Sequence, residues 1–297
     1  MRILRILGII VGVLVMLLVI AVIAVIFLSN SALNEEFDVT AENITIPDDA
    51  GTIARGDYLV HNVAACIECH GDNLEGDAAW IDDGVLGKIG TPNLTSGEGG
   101  VGAEYTDVDW VRSIRHGVNP DGQGLLIMPS IDYHKFTEAD LASVIAYIKS
   151  LEPVNNDSHD ISLTGGRLFL LLARDDFVTA RKIDHSEAFA EPIERGATAE
   201  YGAYLASIAC QGCHGEDYNG LSFPGGGTPA ANLTPGGKLA DYSEADFFEV
   251  LRTGVTPEDR TLDPDEMPWT VFAGMEEDDM RAIFLFLQSL PAMEDQS

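Results

Sequence analysis

Two short segments of the chain have the residue types and spacing of a covalent haem attachment site. Cys66–His70 and Cys210–His214 both read Cys-x-x-Cys-His, the attachment pattern of c-type haem. In such a site the two thiols join the vinyl groups of the porphyrin, and the adjacent histidine binds the iron from the proximal side. The candidate residues are Cys66, Cys69 and His70 in the first segment and Cys210, Cys213 and His214 in the second. The sequence therefore predicts two covalently bound haem c groups, each with its iron.

Other chemistries also use closely spaced cysteines, and the surrounding sequence argues against them. A zinc site would need four ligands, and a redox dithiol of the thioredoxin kind would lie in a βαβ pattern that this sequence lacks. Disulfides are common in exported proteins, but the histidine that follows each cysteine pair favours haem.

A second axial iron ligand is expected from later in each half. Outside the initiator and the N-terminal apolar segment, the first half contains a single methionine, Met128. Met267 lies at a similar separation from the second cysteine pair, and both methionines are followed by proline after a segment rich in Gly, Pro and Asp. A methionine more often fills a core than binds iron, but the repeated pattern predicts Met128 and Met267 as the distal ligands.

Four other residues compete for the distal position and are weaker candidates. Met280 takes the place of Leu141 in a predicted core stripe, and Met293 follows the last predicted helix. Met275 remains an alternative in the second half, and His134 remains one in the first half.

An apolar segment near the N-terminus is long enough to cross a membrane. Ile6–Leu28 contains no charged residue, and a helix of that length spans the hydrocarbon core of a bilayer. A secretory signal peptide is the alternative, but its apolar region runs to only ~7–15 residues and ends at a small-x-small cleavage site. Ser29–Ala32 matches such a site poorly, so the sequence favours an uncleaved transmembrane anchor.

The charged residues around this segment predict its orientation. Arg2 and Arg5 precede it, and Glu35, Glu36 and Asp38 follow it. The positive-inside rule therefore keeps the N-terminus in the cytoplasm and places the remainder on the periplasmic side of a cell membrane.

The overall charge restricts the partners. The chain has 48 acidic and 17 basic residues and a formal charge of −31, which argues against nucleic acid as a partner. Such a surface could steer a basic redox protein to a docking face, or it could reflect solubility or a saline habitat.

The two halves of the chain repeat one another in order. The repeated pairs are Gly56–Leu59 and Gly202–Leu205, Asn93–Thr95 and Asn232–Thr234, and Arg115–Val118 and Arg252–Val255. Each half also contains a helix with a predicted N-cap, Thr106 or Ser243, and a glycine stop. A last helix in each half carries an apolar stripe that predicts a core face. The stripes are Leu141, Val144, Ile145 and Ile148, and Met280, Ile283, Phe284 and Leu287.

Two of the repeated features allow more than one interpretation. Asn93–Thr95 has the form of an N-glycosylation acceptor, but its recurrence as Asn232–Thr234 favours a structural loop beside the haem. Arg115 and Arg252 could pair with haem propionates, although a solvated or acid-paired arginine is the commoner state.

These repeated segments, in this order, resemble class I cytochrome c duplicated in tandem. They are similar to the modules of the multi-haem cytochrome c subunits of membrane-bound alcohol and gluconate dehydrogenases, over about residues 52–154 and 195–294. The chain departs from those subunits in having two haem motifs where they carry three, and in its N-terminal anchor.

The resemblance implies an all-α fold of two tandem class I cytochrome c domains after a single N-terminal transmembrane helix. The expected divisions are an anchor, 1–30; a juxtamembrane linker, 31–51; the first domain, 52–154; an inter-domain linker, 155–194; and the second domain, 195–297. In the inter-domain linker, Leu168–Leu172 predicts a short amphipathic helix. We expect it to pack the domains together in preference to lying on the membrane face.

The expected function is single-electron transfer between respiratory partners on the periplasmic side, with no catalytic residue in this chain. A haem held by histidine and methionine has no open coordination position. One alternative is a haem c subunit of a membrane dehydrogenase, a terminal oxidase or another respiratory complex. Another is a di-haem peroxidase, which needs one haem able to open its sixth position, and the matched Met-Pro segments argue against it.

Overall fold

The computed structural model describes residues 2–222 and 228–296, and this part of the chain is mostly helical. A helix of 32 residues, α1 (Arg2–Leu33), comes first, and most of its apolar side chains are exposed. Among the described residues it is the one helix long and apolar enough to cross a bilayer. The prediction of a long apolar N-terminal helix is confirmed.

Two halves of similar construction follow, separated by a linker. The helices are α2 (Ala50–Asn62), α3 (Cys66–His70), α4 (Asp107–His116), α5 (Ser130–Tyr133) and α6 (Glu138–Ser150) in the first half; α7 (Gly166–Leu172) and α8 (Arg174–Phe177) in the linker; and α9 (Ala199–Ala209), α10 (Gln211–His214), α11 (Glu244–Thr253), α12 (Trp269–Phe272) and α13 (Glu277–Ser289) in the second half. Short 3₁₀ turns cover Val101–Ala103, Thr179–Lys182 and Lys238–Asp241. Helices α2 to α6 correspond in order to α9 to α13.

The predicted helix signals at α4 and α11 are confirmed. Thr106 and Ser243 each cap a helix through a reciprocal capping box with an aspartate three residues later. Gly117 and Gly254 end the two helices with φ of 66° and 70°, a left-handed conformation that glycine adopts at little cost.

The first and last helices of each half cross very closely, and glycine makes the crossing possible. These two pairs, α2 with α6 and α9 with α13, form the largest helix contacts in the described chain. A Cβ atom on Gly56 would overlap the backbone carbonyl of Ser143, and one on Gly202 would overlap that of Ala282. The helix backbones therefore touch, which fixes the direction in which each cysteine segment leaves α2 or α9.

A continuous apolar core runs through both halves. Most residues of the two predicted stripes are buried in it, namely Leu141, Val144, Ile145, Ile148, Met280, Ile283 and Leu287. Phe284 is partly buried against the same core. The last helix of each half therefore contributes packing, as its sequence period predicts.

A small antiparallel sheet is an addition to the predicted helical fold. Strands β1 (Ile81–Asp83), β2 (Gly87–Ile89) and β3 (Ile161–Leu163) pair in that order, so the sheet joins a loop of the first half to the linker. Strands of three residues are too short for an alternating pattern to reveal them in sequence.

The linker helix packs mainly on α1, so the prediction that it packs the two domains together is wrong. Leu170 of α7 is buried in a second apolar cluster that also contains Ala32 of α1 and Val118 and Val178 of the surrounding segments. The last turn of α1 completes this cluster, and the sequence of α7 alone does not show which surface its apolar face covers.

We expect Gly56→Ala to destabilise the first half, because the new methyl group would have to displace the α6 backbone. Overpacking costs about 1–3 kcal/mol, and a backbone obstacle places the cost at the upper end. Gly84→Ala is the control, since a Cβ there meets nothing within 4 Å. Thermal unfolding of the haem-loaded protein, followed by circular dichroism, should show a lower midpoint for Gly56→Ala than for the control. Equal midpoints would contradict the close crossing.

Candidate haem sites

Cys66 and Cys69 lie on the single-turn helix α3, which follows α2. Cys210 is the N-cap residue of α10, which follows α9, and Cys213 lies within α10. Burial raises the pKa of Cys66 and Cys210 to about 12 and that of Cys69 to about 11. Burial also raises the pKa of Cys213. Both cysteines of each pair lie on or beside one helical turn, next to the histidine that follows them, which is the arrangement that haem attachment requires.

The two histidines are held in the tautomer that an iron ligand requires. Nδ1 of His70 lies 2.9 Å from the carbonyl oxygen of Pro92, and Nδ1 of His214 lies 2.8 Å from that of Ala231. A carbonyl oxygen only accepts, so each Nδ1 carries the proton and each Nε2 keeps its lone pair. Within the described chain neither Nε2 has a hydrogen-bond partner, and burial lowers the pKa of both rings. The Nε2 atoms of His70 and His214 are therefore suited to bind haem iron from the proximal side, one in each half.

The carbonyls that orient the histidines belong to loops fixed by two buried asparagines. Asn93 Oδ1 accepts from the backbone N–H and hydroxyl of Thr95, while its Nδ2 donates to the Val154 carbonyl at 2.7 Å. Asn232 repeats the arrangement with Thr234 and the Met293 carbonyl. Asn93 has no exposed surface, which excludes glycosylation of this folded state and agrees with the predicted structural loop.

Met128 and Met267 lie in matching turns. Pro129 precedes α5 with φ −80° and ψ 48°, and Pro268 precedes α12 with φ −75° and ψ 56°. Both methionine side chains are partly buried against the common core. The repeated Met-Pro sequence thus forms a repeated backbone turn in an equivalent place.

The competing residues are engaged elsewhere. Met275 and Met280 are buried in the core, and Met293 is held after the end of α13 by its backbone contacts with Asn232 and Thr234. His134 Nδ1 donates to the Arg115 carbonyl, and its Nε2 lies 3.6 Å from the Glu187 carboxylate. His134 therefore belongs to a polar cluster between the first half and the linker.

Arg115 is paired with an acid and fully buried. Its guanidinium contacts the Glu42 carboxylate and donates to the carbonyls of His134 and Glu187. Arg252, in contrast, is exposed and donates to the Ala273 carbonyl. Of the two interpretations of Arg115, the acid-paired one matches its contacts. The sequence missed Glu42, because nothing marks an isolated glutamate in a linker as the partner of a buried arginine.

The two halves meet through a pair of equivalent tyrosine–aspartate hydrogen bonds. The Tyr58 hydroxyl donates to Asp279 at 2.7 Å, and the Tyr204 hydroxyl donates to Asp140 at 2.7 Å. Tyr58 and Tyr204 hold the same position in the two repeats, and so do Asp140 and Asp279. The halves are thus related by an approximate two-fold axis, as in an isologous dimer.

A partly buried arginine lies beside one of these hydrogen bonds. Arg55 forms two hydrogen bonds of 2.9 Å with Asp140 and donates to the Tyr201 hydroxyl at 3.0 Å. Arg55 and Tyr201 immediately precede the two repeated Gly-x-Tyr-Leu segments. The bidentate contact with Asp140 joins α2 to α6 within the first half and orients the guanidinium, and the hydrogen bond to Tyr201 crosses to the second half.

The second cysteine turn contacts α5 and Lys135, which follows it. Lys135 Nζ donates to Gln211 Oε1 at 2.6 Å and to the Ser207 carbonyl at 3.0 Å. Gly212 packs against Asp132, leaving no room for a Cβ atom. Gln211 and Gly212 are the two residues between the second pair of cysteines, so this haem attachment turn abuts the candidate distal segment of the other half.

The mirrored contact is tighter. A Cβ atom on Gly274, which takes the place of Lys135 in the second repeat, would overlap the side chain of Asn62 at the end of α2. The sequence missed this interface, although repeated polar residues on the outer faces of otherwise apolar helices are a signal that could have revealed it.

Comparison with known proteins agrees with this architecture. A family model described as cytochrome c matches residues 53–152 and again residues 199–291. The chain belongs to the cytochrome c family. It contains two cytochrome c domains in tandem, each with a Cys-x-x-Cys-His turn, and carries two haem c groups.

Its relatives include cytochrome subunits of dehydrogenases. The fructose dehydrogenase cytochrome subunit of Gluconobacter japonicus is 27% identical over 266 residues, which cover 81% of this chain and 53% of that protein. The cytochrome c subunit of alcohol dehydrogenase (quinone) from Gluconobacter oxydans is 35% identical over 117 residues, 37% of this chain and 23% of that subunit. The corresponding subunit from Gluconacetobacter polyoxogenes is 31% identical over 105 residues, 32% and 22% of the two chains.

The chain spans about half the length of the first of these relatives and less of the others. The predicted resemblance to dehydrogenase cytochrome subunits is confirmed, as is the prediction of two haem c groups.

Proposed function

We propose that this cytochrome c transfers single electrons through two closed haem sites, with His70 and Met128 as the axial ligands of one iron and His214 and Met267 as those of the other. When bound, haem c supplies reversible one-electron chemistry. The observation that supports the proposal is the repetition of two features in both halves: a proximal imidazole fixed by a loop carbonyl, and a Met-Pro turn of the same backbone conformation.

The surrounding residues suit this task. The carbonyls of Pro92 and Ala231 prevent rotation of the histidine rings, so the ligand geometry is the same before and after an electron is gained. A methionine thioether is a soft ligand that favours the reduced state and raises the potential. A peroxidase would require one half to differ from the other in this ligand set, and the matching turns favour two closed sites.

The interface between the halves supports a relay. The cysteine turn at Gln211 and Gly212 lies against α5, which begins two residues after Met128. Tyr58 and Tyr204 hold this arrangement through their aspartate partners. Two redox sites held in fixed proximity can exchange electrons without diffusion of either half.

The long apolar helix α1 bears on where the protein acts. We infer that α1 is retained as an anchor with its N-terminus in the cytoplasm and both haem domains outside, in the periplasm. Retention is supported by the last turns of α1, where Ser29 and Ala32 are buried and Ala32 packs in the cluster of the first half and the linker, and by the hydrogen bonds of Arg167 to Ser29 and Asn30. A removed signal peptide would have no need of such contacts.

The partner that the relatives favour is a membrane dehydrogenase. We propose that this chain accepts electrons from a dehydrogenase subunit and passes them to a membrane respiratory component, because the fructose dehydrogenase cytochrome subunit aligns with most of this chain. The formal charge of −31 would draw a basic docking face towards the cytochrome.

Replacement of either proposed distal methionine should leave the sixth coordination position of one haem iron vacant. We expect Met128→Ala and Met267→Ala each to allow carbon monoxide to bind half of the reduced haem, whereas the unaltered protein and the core control Met275→Leu bind none. A difference spectrum of the dithionite-reduced protein, with haem counted by pyridine haemochrome, measures this. Carbon monoxide binding by the unaltered protein would contradict the closed sites and favour the peroxidase alternative.

The partnership predicts a stable complex in the native membrane. The full chain carrying a C-terminal affinity tag, solubilised in mild detergent, should co-purify with a flavin- or quinone-dependent dehydrogenase subunit, and addition of a sugar or alcohol substrate should reduce its haem. A high-salt wash is the control, because charge-guided association weakens as the Debye length falls to about 3 Å at 1 M salt. Recovery of the cytochrome alone at low salt would contradict the dehydrogenase partnership.

A further inference from the structure

An exposed apolar surface lies next to the end of α1. Outside α1, six large apolar side chains are exposed among the described residues, and five of them lie in the sheet and the linker helix. The five, which we name the interfacial surface, are Val85 (62% exposed), Ile161 (48%), Leu168 (50%), Phe169 (38%) and Leu172 (75%). Such a concentration in one region differs from the scattered apolar residues of ordinary surfaces.

These residues form one region of the fold. Ile161 lies on β3, which pairs with β2, and Val85 lies in the turn between β1 and β2. The Thr164 hydroxyl donates to the Val85 carbonyl at 3.0 Å, and the Gly166 N–H at the start of α7 donates to the Leu86 carbonyl at 3.1 Å. The sheet and α7 are therefore joined by short hydrogen bonds.

The interfacial surface lies close to the end of the uncharged segment of α1, where that helix would leave the hydrocarbon core of a bilayer. Arg167, the second residue of α7, donates to Ser29 Oγ at 2.8 Å and to Asn30 Oδ1 at 2.7 Å. Ile6–Leu28 would extend about 34 Å as a helix, against a hydrocarbon core of about 30 Å. Ser29 and Asn30 therefore mark the boundary between acyl chains and headgroups, and α7 begins at that depth.

Basic residues flank the apolar ones, although the chain as a whole is acidic. Four of its 17 basic residues lie in residues 167–182, namely Arg167, Arg174, Arg181 and Lys182. Arginine and lysine at this depth can extend their charged ends towards lipid phosphates while their stems remain in apolar surroundings. Three of these four cations are paired with Glu35, Asp175 or Asp176. Residues 167–182 hold four basic and two acidic residues, so the linker side of the surface is not acidic, whereas the sheet side carries the exposed Asp82, Asp83 and Asp160.

We propose that the interfacial surface inserts into the headgroup–acyl boundary of the outer leaflet, so that the first haem domain rests directly on the membrane that α1 crosses. The occupant is phospholipid, because the surface is apolar, is continuous with the lipid-facing α1 and is flanked on its linker side by arginine and lysine. The contact would fix the Met128 segment close to the bilayer, since the Ile127 N–H donates to the Phe177 carbonyl at the end of α8 at 2.7 Å. This inference rests on the proposed retention of α1.

Photo-crosslinking of the full-length holoprotein tests the contact. The protein is reconstituted in vesicles of phosphatidylcholine and phosphatidylglycerol that carry a diazirine near the headgroup end of an acyl chain, illuminated, and digested with trypsin. The peptide Leu168–Arg174 should carry about tenfold more lipid adducts than the peptide that begins at Ala282. The latter contains Leu285, the sixth exposed apolar residue, and serves as the internal control.

A paired variant separates this contact from the anchor itself. Leu168→Asn combined with Leu172→Asn changes two exposed side chains, so the fold should persist; adducts on the linker should fall about tenfold while those on α1 stay unchanged. Adducts confined to α1 in the unaltered protein would overturn the proposal and leave the anchor intact. Absence of adducts on α1 would overturn the anchor as well. Crosslinks from Leu168–Arg174 to a polypeptide instead of lipid in native membranes would also overturn the proposal.

Discussion

The backbone contact between the first and last helices of each half constrains every other part of the haem region. Gly56 and Gly202 allow α2 to touch α6 and α9 to touch α13, and the cysteine turns leave directly from α2 and α9. The same four helices carry the tyrosines and aspartates that join the halves. A change in the crossing of α2 with α6, or of α9 with α13, would therefore alter two things together: the direction of a haem attachment turn and the interface between the halves.

The approximate two-fold interface joins the two repeats of the chain into one structural unit. The Tyr58–Asp279 and Tyr204–Asp140 hydrogen bonds repeat across the axis, as the contacts of an isologous dimer do. The repeats differ where α5 and α12 approach the opposite half: Lys135 donates to Gln211, whereas Gly274 makes room for Asn62. The surroundings of the two haem turns are thus unequal, which gives a physical reason for the two sites to differ in potential.

Most of the site could be predicted from sequence because haem attachment depends on local spacing, whereas its supports depend on contacts between distant residues. Cys-x-x-Cys-His, the helix caps and the apolar stripes are all read within about a dozen residues. The partner of Arg115 is Glu42, which lies far along the chain in the juxtamembrane segment. The position of α7 depends on α1, and the three-residue strands have no period to detect. The repeated Asn-Leu-Thr was predictable as structure only because it occurs twice.

The most direct test of the fixed two-haem unit is the rate of electron exchange between the haems in protein that has been half reduced by a rapid one-electron pulse. The interface predicts an internal redistribution of electrons whose rate does not change with protein concentration. It also predicts that this rate falls when Tyr58→Phe and Tyr204→Phe are combined, because the halves then lose their two symmetric hydrogen bonds. A redistribution rate proportional to protein concentration would show exchange between molecules only, and would contradict the relay.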